Sequence, residues 1–399
     1  MFIPASIEDQ LTRQRDDPLR VLVAGAGVAG LTFAQLLRGK GLHPVLIERT
    51  TGPGEAGYML ALMPLVERVI HDLGVTEAYR AASEPFHHYV LHGRHGQRLR
   101  GYEIDTLLSA TGEYRGLARG PLLEVLAGKG APISYATMLT ALRQNGAAAD
   151  VTVESEGETI DATFDAVIIA EGLHSASRAL VLRPEQTAVY DTGWAGWVTW
   201  MDGDTDHIDR GDEIWGNGFF VGVYPVKDRA GVFVGGDRGD MRAGPAAFVT
   251  AIRRDLPRLD PWLNAALARV AVNCDPYYWQ LTDCRAESWA IGRVALLGDA
   301  AAGFLPTAGI GAGMAMESAG VLARMLAGVP RESVADALLD YERRQRPRIE
   351  AAQDSSRQLA RLMFRRNAAL AMVRDFAVRA IPLGVVLKPI RKLLDEAPA

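Results

Sequence analysis

The sequence predicts an α/β fold: a Rossmann-like dinucleotide-binding domain, an antiparallel-sheet second domain, and C-terminal helices. Three observations carry this. A buried-strand run, Leu19–Ala24, leads directly into a Gly-x-Gly-x-x-Gly turn and a helical segment. From about Leu180 to Arg285 the texture changes to short alternating runs, and the stretch holds six of the seven tryptophans, among them Trp194, Trp197, Trp200, Trp215 and Trp279. Beyond Arg331 the pattern is mostly helical.

Composition sets the frame. At 399 residues the chain has room for roughly two or three domains. A core of that size needs no metal or disulfide staple. Hydrophobic residues make up 48% and charged residues 23%, which excludes disorder as the dominant state. The net charge of -5 argues against nucleic acid as a partner. The two cysteines, Cys274 and Cys284, exclude a disulfide scaffold and a Cys-rich zinc site, and no metal site is expected. They fit a reducing, cytoplasmic setting. Residues 1–18 are charged and lack an apolar h-region, so they read as an arm before the first strand. Val21–Leu37 and Ala300–Met316 are apolar, but their glycines argue for ligand-approaching turns and not membrane spans.

The first unit runs strand, Gly25-Ala26-Gly27-Val28-Ala29-Gly30, helix to Lys40-Gly41, strand Val45–Ile47, then Glu48. Gly25 permits the tight turn. Gly27 lets backbone N–H groups approach a pyrophosphate, and Gly30 lets the helix sit close to the strand. The helix N-terminus, from Val28 and Ala29, supplies partial positive charge. Glu48 can accept both ribose hydroxyl protons, which favours FAD or NAD over NADP. Arg49 is adjacent and reads as pointing to the other side of the strand end.

Further along, Met63–Leu73 is a helix with Pro64 in its first turn, and His87–Leu91 and Arg98–Glu103 are strands. Arg119-Gly120-Pro121 opens a helix. Val151–Val153 and Ile160–Phe164 suggest a hairpin, followed by the buried strand Phe164–Ala170 and then Glu171-Gly172. Gly292–Leu297 is a third buried strand, ended by Gly298-Asp299. A helix covers about Ala312 to Ala327, and Arg331–Arg346 is another, cut by Pro347. The predicted division is 1–18 as an arm; 19–80, 101–180 and 286–330 as a discontinuous nucleotide-binding domain; 81–100 and 181–285 as a substrate domain; and 331–399 as a helical region.

Three glycine-bearing strand ends in this order resemble the class A flavoprotein monooxygenases, the family of para-hydroxybenzoate hydroxylase. They are Gly25/Gly27/Gly30 with Glu48, Glu171-Gly172 with Ser175 and Arg178, and Gly298-Asp299 followed by Pro306, Gly309 and Gly311. The match covers about 19–330. The resemblance implies a para-hydroxybenzoate hydroxylase-type FAD-binding domain. It implies Asp299 at the ribityl chain, Gly309, Ile310, Gly311 and Ala312 at the flavin edge, and Arg119 contacting FAD beside Leu122 and Leu126. Departures are Glu171 for Asp, Ala302 for His, Gly313 for Asn and Ser318 for Asp.

No second strand–GxGxxG–helix occurs, so the resemblance implies NADH or NADPH as a transient reductant. It implies a monooxygenase that hydroxylates a small, aromatic or polycyclic substrate with O₂ through a flavin C4a-hydroperoxide. Baeyer–Villiger oxidation, epoxidation or decarboxylative hydroxylation share the motifs and stay open. A halogenase is disfavoured by the spacing of Trp197 and Trp200, and a non-catalytic binder by the intact motifs. Candidate catalytic residues are Tyr224, Asp237 and Arg238, with His87 and His88 on the earlier hairpin. The expected state is a monomer or homodimer without stable membrane insertion. Met372–Leu394, with Arg374, Arg379, Lys388, Arg391 and Lys392, reads as helix packed on the FAD domain, with a membrane-surface role as the alternative.

Overall fold

The computed structural model describes all residues except 54–56, 105–107, 109–111, 129, 203–206, 208, 381–392 and 395–399. The strands are β1 (Phe2–Pro4), β2 (Val21–Ala24), β3 (Val45–Ile47), β4 (Met59–Leu62), β5 (Glu84–Pro85), β6 (His88–His92), β7 (Arg98–Glu103), β8 (Arg115–Ala118), β9 (Ala131–Ile133), β10 (Thr137–Gln144), β11 (Ala149–Ser155), β12 (Glu158–Phe164), β13 (Ala166–Ile169), β14 (Thr187–Asp202), β15 (Arg210–Trp215), β16 (Phe219–Val226), β17 (Arg229–Asp237), β18 (Tyr277–Ala286), β19 (Ala290–Ile291) and β20 (Val294–Leu296). The helices are α1 (Ile7–Gln14), α2 (Val28–Arg38), α3 (Glu67–Asp72), α4 (Thr76–Ala82), α5 (Arg119–Ala127), α6 (Pro245–Arg253), α7 (Pro261–Val272), α8 (Gly311–Leu326), α9 (Val334–Met363) and α10 (Ala368–Ala380).

One sheet has the order β19-β20-β13-β2-β3. Within it β20, β13, β2 and β3 are parallel neighbours. Each of these four strands is buried along its whole length. That is the burial expected when both faces are covered, and it explains why these segments are unbroken apolar runs. Because the strands are parallel, their C-terminal ends meet at one edge. Gly25, Glu48, Glu171 and Asp299 all lie just past those ends.

The charged segment 1–18 is not an arm. β1 pairs with β9, and α1 buries Ile7, Gln10 and Gln14. Gln10 brackets the backbone of Leu46 on edge strand β3: its Nε2 donates to Leu46 O (3.1 Å) and its Oε1 accepts from Leu46 N (2.9 Å). Gln14 donates to the carbonyls of Val21 and His43. The charges of α1, Glu8, Asp9 and Arg13, face solvent while two amides cover the sheet edge. Alternating charge hid that role in the sequence.

The second large sheet has the order β18-β14-β17-β16-β15-β6-β7 and is antiparallel except between β15 and β6. β7 lies wholly in it, so a division between residues 100 and 101 cuts a strand. Successive side chains point to opposite faces. One face packs Trp197, Phe219, Val221 and Val223 against Phe248 and Val249 of α6 and Leu263 and Leu267 of α7. The other face presents Trp194, Trp215, Phe220 and Phe233.

α9 runs unbroken for 30 residues with Pro347 inside it. A proline costs a helix interior about 3 kcal/mol. Here buried Val334, Leu338 and Tyr341 before it, and Ile349, Ala352 and Ala360 after it, hold the helix on both sides. α10 packs against β7 of the second sheet, whereas Leu393 and Leu394, at the far end of the predicted segment, pack into the core around the parallel sheet. Arg374 anchors it through the carbonyls of Trp215 and Gly216. Lys388, Arg391 and Lys392 lie outside the described residues. Among the described residues no helix is long and apolar enough to cross a membrane.

Pro347 is exposed, so Pro347→Ala restores a helical hydrogen bond without disturbing the core. We expect it to raise unfolding stability by up to about 3 kcal/mol, seen as a higher Tm by calorimetry. An unchanged or lower Tm contradicts this account of α9.

Candidate active site

The edge where the parallel strands end opens into a cavity of about 1050 Å³, at the upper limit of the roughly 300–1,000 Å³ of small-molecule sites. Its first wall is the β2–α2 turn. Gly25 has φ +104°, and a Cβ on Gly30 would stand 1.9 Å from Gly25 O. Only two glycines allow this contact, which seats α2 against the strand. A Cβ on Gly27 would meet nothing within 4 Å. Gly27 is the N-cap of α2 and supplies no side-chain cap, so first-turn N–H groups are available to an anionic ligand. Gly25, Gly27, Val28 and Ala29 line the cavity; Gly30 acts behind it.

Glu48 is held in place by Ala26 N at 2.9 Å on Oε2, and by Thr50 N at 3.0 Å on Oε1. A carboxylate has about four acceptor sites, so capacity remains for hydroxyl donors. Arg49 lines the same cavity and does not lie on the far side of the strand end.

Glu171 and Gly172 border the cavity, but the Glu171 carboxylate is committed to its own turn. It accepts Ser175 Oγ (2.8 Å), Ser177 N (2.9 Å) and Ser177 Oγ (2.7 Å). Arg178 then donates to Ala300 O and Leu173 O, tying this strand end to the next. The motif therefore braces the site.

Asp299, Pro306, Gly309, Gly311 and Ala312 form the third wall. Gly309 adopts φ +61°. α8 begins at Gly311 without a side-chain cap, which gives a second open helix N-terminus. The Asp299 carboxylate has no hydrogen-bond partner among the described residues, although its backbone carbonyl accepts from Cys284 Sγ, and burial pushes the carboxyl up to about 6. Its neighbours stay neutral there: burial raises the Tyr58 phenol to about 12 and also raises the Cys284 thiol. Arg119 opens α5, its N–H donates to Tyr58 O (3.0 Å), and its side chain hydrogen-bonds the Tyr58 phenol.

Beyond these turns the cavity continues as an aromatic chamber against the second sheet. Trp215, Phe220, Tyr224 and Phe233 form its floor, with Tyr89, Trp279, Leu359 and Met363 around it. Glu213 sits in this wall, 7% exposed. It accepts hydrogen bonds from Tyr224 OH (2.5 Å), from Trp215 Nε1 (2.8 Å) and from the Tyr89 phenol. Burial raises the Glu213 carboxyl despite these donors.

Of the predicted catalytic residues, only Tyr224 reaches the chamber. Burial and the Glu213 charge hold its phenol well above the ordinary range, so it is a neutral donor and not a base. Asp237 and Arg238 lie where β17 leaves its sheet. Asp237 pairs with Arg366 (2.9 Å) and Arg238 with Asp191 (2.6 Å). Surface ion pairing, not site chemistry, accounts for both. His88 pairs with Asp209, and neither His87 nor His88 borders the chamber. Sequence reasoning missed Glu213, Tyr89 and Tyr58. The available signal was the pair Asp212-Glu213 in a strand, where alternation must turn one carboxylate inward.

A profile described as FAD binding domain matches residues 18–356. The 6-methylpretetramide 4-monooxygenase of Streptomyces rimosus is 27% identical over 395 residues, covering 95% of this chain and 67% of its own. The 2-heptyl-3-hydroxy-4(1H)-quinolone synthase of Pseudomonas aeruginosa is 26% identical over 382 residues, covering 91% and 94%. The crystal structure of Klebsiella pneumoniae HpxO complexed with FAD and uric acid superposes with a TM-score of 0.84 at 20% identity, covering 95% and 97%. Pseudomonas aeruginosa PqsL in complex with 2-aminobenzoylacetate gives 0.76 at 22%, covering 91% and 100%. The two solved structures share the fold.

The partnerless Asp299 carboxyl and the open space at Gly27 suit the hydroxyls and pyrophosphate of FAD. A hydroxyl donated to ionised Asp299 lowers its pKa, so protons compete with FAD for this carboxylate. FAD affinity of deflavinated protein is therefore expected to be full above pH 6 and to fall as pH drops through about 6. Asp299→Asn should weaken binding by roughly tenfold and flatten the profile. Fluorescence titration across pH checks both; an unchanged profile in the variant contradicts the assignment.

Proposed function

As the chain belongs to the FAD binding domain family, the class A flavoprotein monooxygenases related to para-hydroxybenzoate hydroxylase, we propose that it hydroxylates a small aromatic or polycyclic compound. NADH or NADPH is the reductant and O₂ the oxygen source. The observation that carries this reading is one continuous cavity, lined by open helix N-termini and glycine turns at one end and by aromatic side chains at the other.

Bound FAD would supply the redox chemistry, accepting two electrons from the nicotinamide and activating O₂ for transfer of one oxygen atom. The chain's own residues do the rest. The first turn of α2 holds the pyrophosphate, Glu48 accepts the ribose hydroxyls, and Asp299 accepts from the ribityl chain. The N-terminus of α8 favours negative charge at the flavin edge. Arg119, fixed by Tyr58, adds a cation beside the same wall.

The chamber orients the substrate and excludes water. Phe220 and Phe233 stand 5.8 Å apart, and Trp194 stacks on Phe364 at 4.2 Å. Flat aromatic walls match a flat ring system, and a dry pocket protects the reactive oxygen from side reactions. That the named relatives act on a pretetramide and give a quinolone supports a ring substrate.

Anaerobic mixing of the flavin-loaded protein with NADH or NADPH, in the presence of a panel of polycyclic phenols, tests the reading. At least one phenol is expected to accelerate loss of oxidised-flavin absorbance, and the aerobic product should carry one additional oxygen by mass spectrometry. If no phenol accelerates reduction or gains oxygen, aromatic hydroxylation fails.

A further inference from the structure

The chamber contains a carboxyl that flavin binding does not require. Glu213 faces the aromatic wall, with Trp215, Tyr224 and Tyr89 donating to it. No cation pairs with it among the described residues. Arg374, which borders the same chamber, is taken up by the carbonyls of Trp215, Gly216 and Met363 and by Asp375. A buried carboxylate without a compensating charge is costly. Its neighbours do not need that charge, because a neutral amide could accept from the same phenols and indole. A phenol that donates to Glu213 also keeps a lone pair as acceptor, so the cluster presents oxygen acceptors to the chamber.

We propose that Glu213, held by Tyr89, Tyr224 and Trp215, reads a hydrogen-bond donor on the substrate. The chamber takes an aromatic compound that is neutral or cationic and presents an O–H or N–H, and it excludes aromatic carboxylates. This rests on the monooxygenase reading above and narrows its substrate class. An anionic ring substituent would meet like charge and acceptor oxygens, whereas a hydroxyl or ammonium group completes the cluster. Glu213 is in this sense a specificity-determining residue.

Equilibrium dialysis of the flavin-loaded protein against four ring-matched probes tests the proposal: naphthol, its methyl ether, naphthylmethylammonium and naphthoate. The wild type is expected to bind naphthol and the ammonium at least about tenfold more tightly than the ether and naphthoate, as a site built around a donor rejects analogues lacking it. Glu213→Gln is expected to reduce the ammonium-to-naphthoate ratio by about tenfold or more. Its flavin stoichiometry and circular dichroism establish that it folds. Equal or undetectable wild-type binding of all four probes overturns the proposal, as does naphthoate binding as tightly as naphthol. An unchanged ratio in a folded Glu213→Gln variant also overturns it. Should that variant fail to fold, the wild-type ratios alone decide. Dialysis needs no turnover, so this result stands or fails separately from oxygen insertion into the phenol panel.

Discussion

The parallel pairing of β2 with β13 and of β13 with β20 fixes the C-terminal ends of three strands side by side at one sheet edge. Gly25, Glu171 and Asp299 then have to converge, although 274 positions separate the first from the last. The tightest point of this edge is steric. The carbonyl of Gly25 lies where a Cβ of Gly30 would be, and Ala170 O lies 2.5 Å from where a Cβ of Gly25 would be. Any side chain at either glycine pushes α2 away from the sheet and the first strand end away from the second. The Glu171 turn and Arg178 add a polar brace from β13 to the residues after β20.

The seven-stranded sheet solves a different problem with one alternating pattern. Its aromatic residues divide between a face sealed by α6 and α7 and a face left to the chamber. Of the carboxyls that line the shared cavity, burial raises the proton affinity of Asp299 near the glycine turns and of Glu213 at the aromatic wall. They differ in their partners. The Asp299 carboxylate stands without donors among the described residues, whereas the Glu213 carboxylate is surrounded by neutral donors that fix its direction.

α9 joins the two regions. Its first half packs into the core around the parallel sheet through Val334, Leu338 and Tyr341, and its last turns enter the aromatic cluster through Ala360 and Met363. Between them Gln353 donates to the carbonyls of Cys284 and Gly303, and Ser356 donates to Leu305 O. Arg357 closes a bidentate pair on fully buried Asp283 of β18. A helix that binds the loop after Asp299 and also strand β18 keeps the cofactor end and the chamber in fixed relation, which is what oxygen transfer over a short distance demands.

Local chemistry made the cofactor end of the molecule legible from the chain alone. Glycines at three strand ends have a steric reason that is independent of the rest of the fold, and the unbroken apolar strands announce a sheet covered on both faces. The amphipathic role of residues 1–18 was not legible, because Gln10 and Gln14 act only once β3 is an edge strand. Nor was the continuity of α9 through Pro347, which depends on packing on both sides of the proline. The chamber was the least legible part. Tyr224 is visible as a strand tyrosine, but its donation to Glu213, and the removal of Asp237 and Arg238 to surface ion pairs, follow from which strand lies beside which. Sequence determined where a dinucleotide can bind, since that depends on backbone shape at a few glycines. Only the tertiary structure decided what faces the substrate, since that depends on side chains brought together from strands far apart in the chain.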